Sequence, residues 1–201
     1  MKSIVILLAL SLSVGLFSIS CSSSESVEKL PEPKVIPVEE WGGNPPTGTM
    51  PEHEITHVTI HHSGVEYPED RNPEEYMRSL QRFSVEDKNW IDIPYHFCID
   101  PDGKIFQARP LKFPGDTNTE YDPTGHALIN VIGNFEIQKV TQEQLDATIY
   151  LTAWLAQQYD VPTDSIATHK DYSDNTSCPG EDLYQYFEDG SFVGQVDALL
   201  K

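Results

Sequence analysis

A chain of 201 residues has room for one domain of ordinary size with short appendages, and such a domain can bury a substantial core. The 13 Lys and Arg stand against 32 Asp and Glu, and the resulting formal charge of −19 repels polyanions, so nucleic acid is excluded as a partner.

Residues 1–20 read as an export signal: Lys2 supplies the positive start, 4–10 and 14–17 the apolar stretch, and small residues precede Cys21. Ser11 and Ser13 break the stretch, which is too short to span a membrane comfortably. An ordinary cleaved signal is one reading. The sharper one is a lipoprotein signal, because Cys21 then becomes the acylated first residue; Ser18-Ile19-Ser20 fits that pattern loosely. The protein is then expected to be exported and anchored to a membrane by lipid on Cys21, in the periplasm or at the outer membrane. Residues 21–50, with their serines and Pro31, Pro33, Pro37, Pro45 and Pro46, are predicted to be a flexible tether. The folded domain is expected over 51–201. With Cys21 acylated, Cys98 and Cys178 remain as one potential disulfide pair.

Residues 55–60, rich in Ile, Val and Thr, predict a strand covered on both faces, ending at His61-His62-Ser63-Gly64. Asn72-Pro73-Glu74-Glu75 is a helix start, with a capping Asn, a first-turn Pro and acid at the positive end of the dipole. Tyr76, Leu80 and Phe83 form its apolar stripe. Two short strands, 95–99 and 104–108, flank the turn Asp100-Pro101-Asp102-Gly103 and predict a hairpin. Residues 127–132 read as a further strand. Thr141-Gln142-Glu143-Gln144 is a capping-box pattern opening a second helix, and a short helix passes through Leu183, Tyr184 and Phe187. Strands and helices interleave, which gives an α/β class: a single domain with a central mixed β-sheet flanked by helices.

Imidazole and thiolate are zinc ligands, and three residues of those types lie where α/β folds build sites: His61 at a strand end, His169 in a loop, and Cys178 nine residues later. Three protein ligands leave a fourth place open, the mark of catalytic rather than structural zinc. Spacing alone does not establish the set, since one His followed at a distance by a Cys is no zinc signature.

Five strings carry more. Val58-Thr59-Ile60-His61-His62-Ser63, Pro94-Tyr95-His96-Phe97, Asp102-Gly103-Lys104-Ile105, Ile132-Gly133-Asn134-Phe135 and Thr176-Ser177-Cys178-Pro179-Gly180 resemble, in that order, the N-acetylmuramoyl-L-alanine amidases of the type-2 amidase and peptidoglycan recognition protein superfamily. The resemblance covers residues 52–187. It implies zinc held by His61, His169 and Cys178, with Tyr95 and Thr176 as catalytic residues that stabilise the oxyanion, and peptidoglycan or its muropeptide fragments as substrate. The bond cut would be the amide between N-acetylmuramic acid and L-alanine. Relatives with Ser in place of the Cys tend to bind without cutting, so Cys178 favours an enzyme; a non-catalytic peptidoglycan-binding module is the alternative. His62 follows His61 on a strand and so points the other way, and is expected to pack or to support the site.

Two departures stand out. One branch of the superfamily uses a Glu in the strand matching 127–132 as base, but this strand has none and Asn130 is its nearest polar residue, which implies the tyrosine branch. Many relatives have a Trp-His pair where this chain has Lys112-Phe113-Pro114-Gly115-Asp116. His126 is a candidate for a supporting or substrate-contacting role. His53, His57 and His96 are expected to be structural, and Cys98 a buried strand thiol. A cysteine hydrolase using Cys178 with His169 is a further rival that a chelator would separate.

Overall fold

The computed structural model describes residues 29–201, so the export signal, Cys21 and the first part of the expected tether lie outside the described residues. The elements in chain order are β1 (Val35–Ile36), β2 (His57–His62), α1 (Pro73–Glu86), β3 (Phe97–Ile99), β4 (Ile105–Gln107), β5 (His126–Val131), α2 (Gln142–Tyr159), β6 (Ile166–Thr168), α3 (Glu181–Glu188) and α4 (Ser191–Leu199). One mixed sheet takes them in the order β1-β4-β3-β5-β2-β6. The β3–β4 hairpin supplies the antiparallel pair, and every other pairing is parallel.

Alternation along the central strands divides the sheet into two faces. Val58 and Ile60 of β2 and Ala127, Ile129 and Val131 of β5 join Leu145, Ile149, Leu183, Phe192 and Val196 in an apolar core under α2, α3 and α4. The opposite face carries Cys98, Phe106 and Ala108, packed with Tyr76 and Met77 of α1 and with Trp41. Both predicted helix starts form as read. Asn72 Oδ1 accepts from the Glu75 N–H at 2.8 Å, and Thr141 with Gln144 completes a capping box. Among the described residues no helix is long and apolar enough to cross a membrane.

Two expectations need correction, and two elements were not foreseen. The described part of the 21–50 segment is not a free tether: β1 pairs with β4, Trp41 is 1% exposed and donates its indole N–H to the Gln107 carbonyl at 2.7 Å, and the Leu30 N–H donates to Gln157. Val35, Ile36, Val38 and Trp41 supply apolar surface enough to dock a segment whose proline content reads as unfolded. The stripe of α1 is rotated from the one expected. Met77 is fully buried, whereas Phe83 is 47% exposed and looks into a groove rather than the core. Finally, β6 and α4 carry no signal strong enough to predict, yet β6 pairs with β2 and delivers the chain to His169.

Candidate metal centre

His61, next to last in β2, points to the α1 side of the sheet, while His62 points to the other and packs its ring beside Phe135. The Phe135 N–H donates to His62 Nδ1 at 3.3 Å. His62 is therefore a packing residue under the site, as strand alternation requires. His169 leaves β6 and opens a single tight turn, closed by Asp171, whose Oδ2 accepts from the Thr168 N–H at 2.7 Å and the Thr168 hydroxyl at 2.8 Å. The Lys170 N–H donates to the Cys178 carbonyl at 2.9 Å, tying the His169 turn to the cysteine loop.

Gly180 makes the approach of that loop possible. Its φ is +86°, and a Cβ there would lie 2.6 Å from the Phe135 carbonyl carbon and 2.9 Å from His62 Nδ1. The close fit lets the His62 N–H donate to Cys178 Sγ at 3.3 Å.

One ligand atom from each of His61, His169 and Cys178 falls within 4.8 Å of the other two, and all three residues are buried. Cys178 Sγ is 3.6 Å from His61 Nδ1. The Nε2 atoms face hydroxyls instead: Thr119 Oγ1 is 2.7 Å from His169 Nε2, and Tyr121 Oη is 3.4 Å from His61 Nε2. Burial holds His61 well below the ordinary imidazole range, with the neighbouring His169 adding to the effect, and burial lowers His169 as well. Both are neutral at pH 7 and carry lone pairs. Burial pushes the Cys178 thiol up to about 12, so without a cation beside it this cysteine has no thiolate for nucleophilic attack. Two neutral imidazoles and a thiol converging on one point fit zinc, whose charge would reverse the burial penalty on the sulfur.

Around this cluster a groove of about 310 Å³ is lined by the apolar Leu80, Phe83 and Trp90 and by the polar Asn118, Asn175 and Thr176. A larger cavity, about 770 Å³, lies away from the cluster among Tyr67, Asp100, Asp102 and Gln138, and none of the three candidate ligands lines it. The chemistry places the site in the smaller groove. Tyr95 reaches it just ahead of β3, with its ring centre 5.2 Å from that of His61, and burial raises its phenol well above the ordinary value. Thr176 also lines it, and its hydroxyl oxygen accepts from the Cys178 N–H at 3.1 Å.

The remaining histidines stand outside. His96 bridges the Phe113 carbonyl and the Leu128 N–H at 2.9 and 2.8 Å, and His53 does the same for the Leu111 carbonyl and the Gly125 N–H at 2.9 and 2.7 Å. His57 stacks on His126 at 4.5 Å, and His126 Nδ1 lies 2.7 Å from Thr59 Oγ1. His126 backs Tyr121 rather than lining the groove. Cys98 and Cys178 are both free thiols. Thr117, Thr119 and Tyr121 are contacts that the sequence did not single out. Their segment is irregular and shows no hydrophobic period, so no local signal ties it to histidines roughly fifty residues away.

The family model described as N-acetylmuramoyl-L-alanine amidase (Amidase_2) matches residues 51–181. The chain belongs to this family. It is 32% identical over 153 residues to peptidoglycan-recognition protein SD of Drosophila simulans, a match covering 72% of this chain and 79% of the relative. The crystal structure of the Drosophila SD protein superposes with a TM-score of 0.70 at 28% identity, covering 78% of this chain and 94% of that one. Peptidoglycan recognition protein LE, solved in complex with tracheal cytotoxin, a monomeric diaminopimelic acid-type peptidoglycan, gives 0.69 at 27% identity, with 77% and 92% covered. The mixed sheet with flanking helices is the fold of this amidase and recognition-protein superfamily.

Proposed function

We propose that the protein is a zinc-dependent amidase that hydrolyses the bond between N-acetylmuramic acid and L-alanine in peptidoglycan or its fragments. The observation that carries this reading is the convergence of His61, His169 and Cys178 within 4.8 Å in a groove that also holds Tyr95. The family's description and the muropeptide bound by the LE relative support the substrate class.

His61, His169 and Cys178 would hold the zinc, which when bound supplies a Lewis acid able to polarise a carbonyl and to acidify a water. The other residues act on the substrate. Tyr95 stays a phenol at any physiological pH because burial raises its pKa, so it can donate a hydrogen bond to the amide oxygen as negative charge develops there. Thr176 accepts from the Cys178 N–H and so keeps its own proton free for the same oxygen. Asp116, a carboxylate on the groove wall, is ion-paired at 2.5 Å to the fully buried Arg109 and is not free to act as base. Phe83 and Trp90 offer apolar surface, and Asn118 and Asn175 offer amides, to hold sugar and stem peptide.

The export signal and lipid on Cys21 would place this activity outside the cytoplasm on a membrane anchor. Muropeptides incubated with the protein should yield a stem peptide with a free alanine amine by mass spectrometry, abolished by a chelator and restored by zinc. Bound but uncut muropeptide would leave the recognition-module reading in its place, and cleavage that survives chelation would point to a thiol enzyme.

A further inference from the structure

Residues 116–121 run as an irregular strap along the groove, and Thr117, Thr119 and Tyr121 of this strap reach the candidate ligands. His169 Nε2 lies 2.7 Å from Thr119 Oγ1 and 3.3 Å from Thr117 Oγ1. The two threonine oxygens are 2.9 Å apart, and Thr117 Oγ1 also accepts from the Thr119 N–H at 3.2 Å. Next to Thr119, the exposed Glu120 accepts from the Ser173 hydroxyl at 2.9 Å and from the Asn175 side-chain amide at 3.0 Å. Both donors sit on the loop that leads into Thr176 and Cys178. Glu120 is thus the link between the strap and the loop bearing the third candidate ligand.

A threonine hydroxyl has one proton to give. Either threonine can donate to the other, and zinc binding through Nδ1 selects the direction: a lone pair on Nδ1 puts the proton on Nε2, which donates to Thr119 Oγ1, and the Thr119 proton then goes to Thr117 Oγ1. A histidine ligand is commonly fixed in this way, by a hydrogen bond on the nitrogen that does not coordinate.

We propose that Thr119 is a positioning residue that fixes His169 as the Nε2–H tautomer, so that Nδ1 is the atom offered beside His61 and Cys178, while Glu120 fastens the strap to the cysteine loop. The inference rests on the zinc reading above and concerns how the ligands are held rather than what is cut.

The test uses two readouts that do not depend on turnover. Long-range proton–nitrogen NMR of the metal-free protein should show His169 as the Nε2–H tautomer. Thr119→Val should lose that uniform tautomer, and Thr119→Ser should keep it. In competition with a chromophoric chelator, Thr119→Val should bind zinc about 10–100-fold more weakly, and Thr119→Ser should restore the native affinity. If the valine variant does not fold, Thr119→Ala removes the same hydroxyl without adding bulk and should give the same two results. Glu120→Ala should weaken zinc binding by about tenfold without changing the tautomer, because it loosens the cysteine loop alone. A Thr119→Val or Thr119→Ala protein with native tautomer and native zinc affinity overturns the proposal while leaving the amidase reading intact. A native protein that takes up no zinc at all overturns both.

Discussion

The two faces of the central sheet come from the same strands and yet differ in kind. Toward α2, β2 presents Val58 and Ile60, β5 presents Ala127, Ile129 and Val131, and the space between is closed by apolar side chains. Toward α1 the intervening residues of those strands are His57, Thr59, His61, His126, Leu128 and Asn130, all polar but Leu128, and beside the apolar cluster under α1 the packing here opens into a groove. The period of two therefore separates stability from chemistry along a single strand: one face is filled to exclude water, and the other holds polar groups that must each be partnered. Removing a side chain from one face should cost folding energy, and from the other, activity.

The largest expected effect lies on the groove face. His61→Ala removes a proposed ligand and should lower turnover by about 10³-fold or more, beyond the 10–100-fold that partners outside the ligand set command. Metal analysis of the purified variant should show the zinc lost and circular dichroism the fold retained. On the opposite face, Ile129→Ala opens a cavity and should destabilise the protein by about 2–5 kcal/mol in urea titrations, while the molecules that remain folded cleave at the native rate. Tyr95→Phe keeps the ring and removes one donor to the developing oxyanion, so turnover should drop about 10²-fold with KM little changed. For Thr176→Val a loss of about tenfold is expected, the worth of one hydrogen bond. Equal stability losses from Tyr95→Phe and Ile129→Ala would break the comparison.

At neutral pH the smallest effect is that of His96, buried between the Phe113 carbonyl and the Leu128 N–H, where burial lowers its pKa to about 3. The folded protein keeps this ring neutral, whereas the unfolded chain takes up a proton below about 6.5. Its contribution is therefore complete above pH 6.5 and is lost as pH falls from there toward about 3. Urea midpoints measured across that window should fall less steeply for His96→Gln than for the native chain.

Much of this division could be read from the residues. The helix starts at Asn72 and Thr141 form because caps are local, and the hairpin forms around Asp100-Pro101-Asp102-Gly103 for the same reason. His61, His169 and Cys178, singled out by resemblance, do come together in space, and His62 turns away as alternation demands. What the sequence hid was tertiary. The three residues of β6 are too few to show a period, and β1 gains its order from pairing with β4, against a proline-rich composition. Phe83 fell on the expected stripe of α1 but faces the groove, because helix periodicity gives the width of an apolar stripe and not what will cover it. Thr119 and Tyr121 act across roughly fifty residues or more, where no pattern in the chain points.

The account turns on whether the groove face holds a metal through two imidazoles and one thiolate. X-ray absorption on zinc in the native protein addresses this directly. One sulfur at about 2.3 Å, with two imidazole nitrogens and a further light atom at about 2.0–2.1 Å, is the predicted shell. A protein that retains no zinc, or a zinc shell that contains no sulfur, would contradict it.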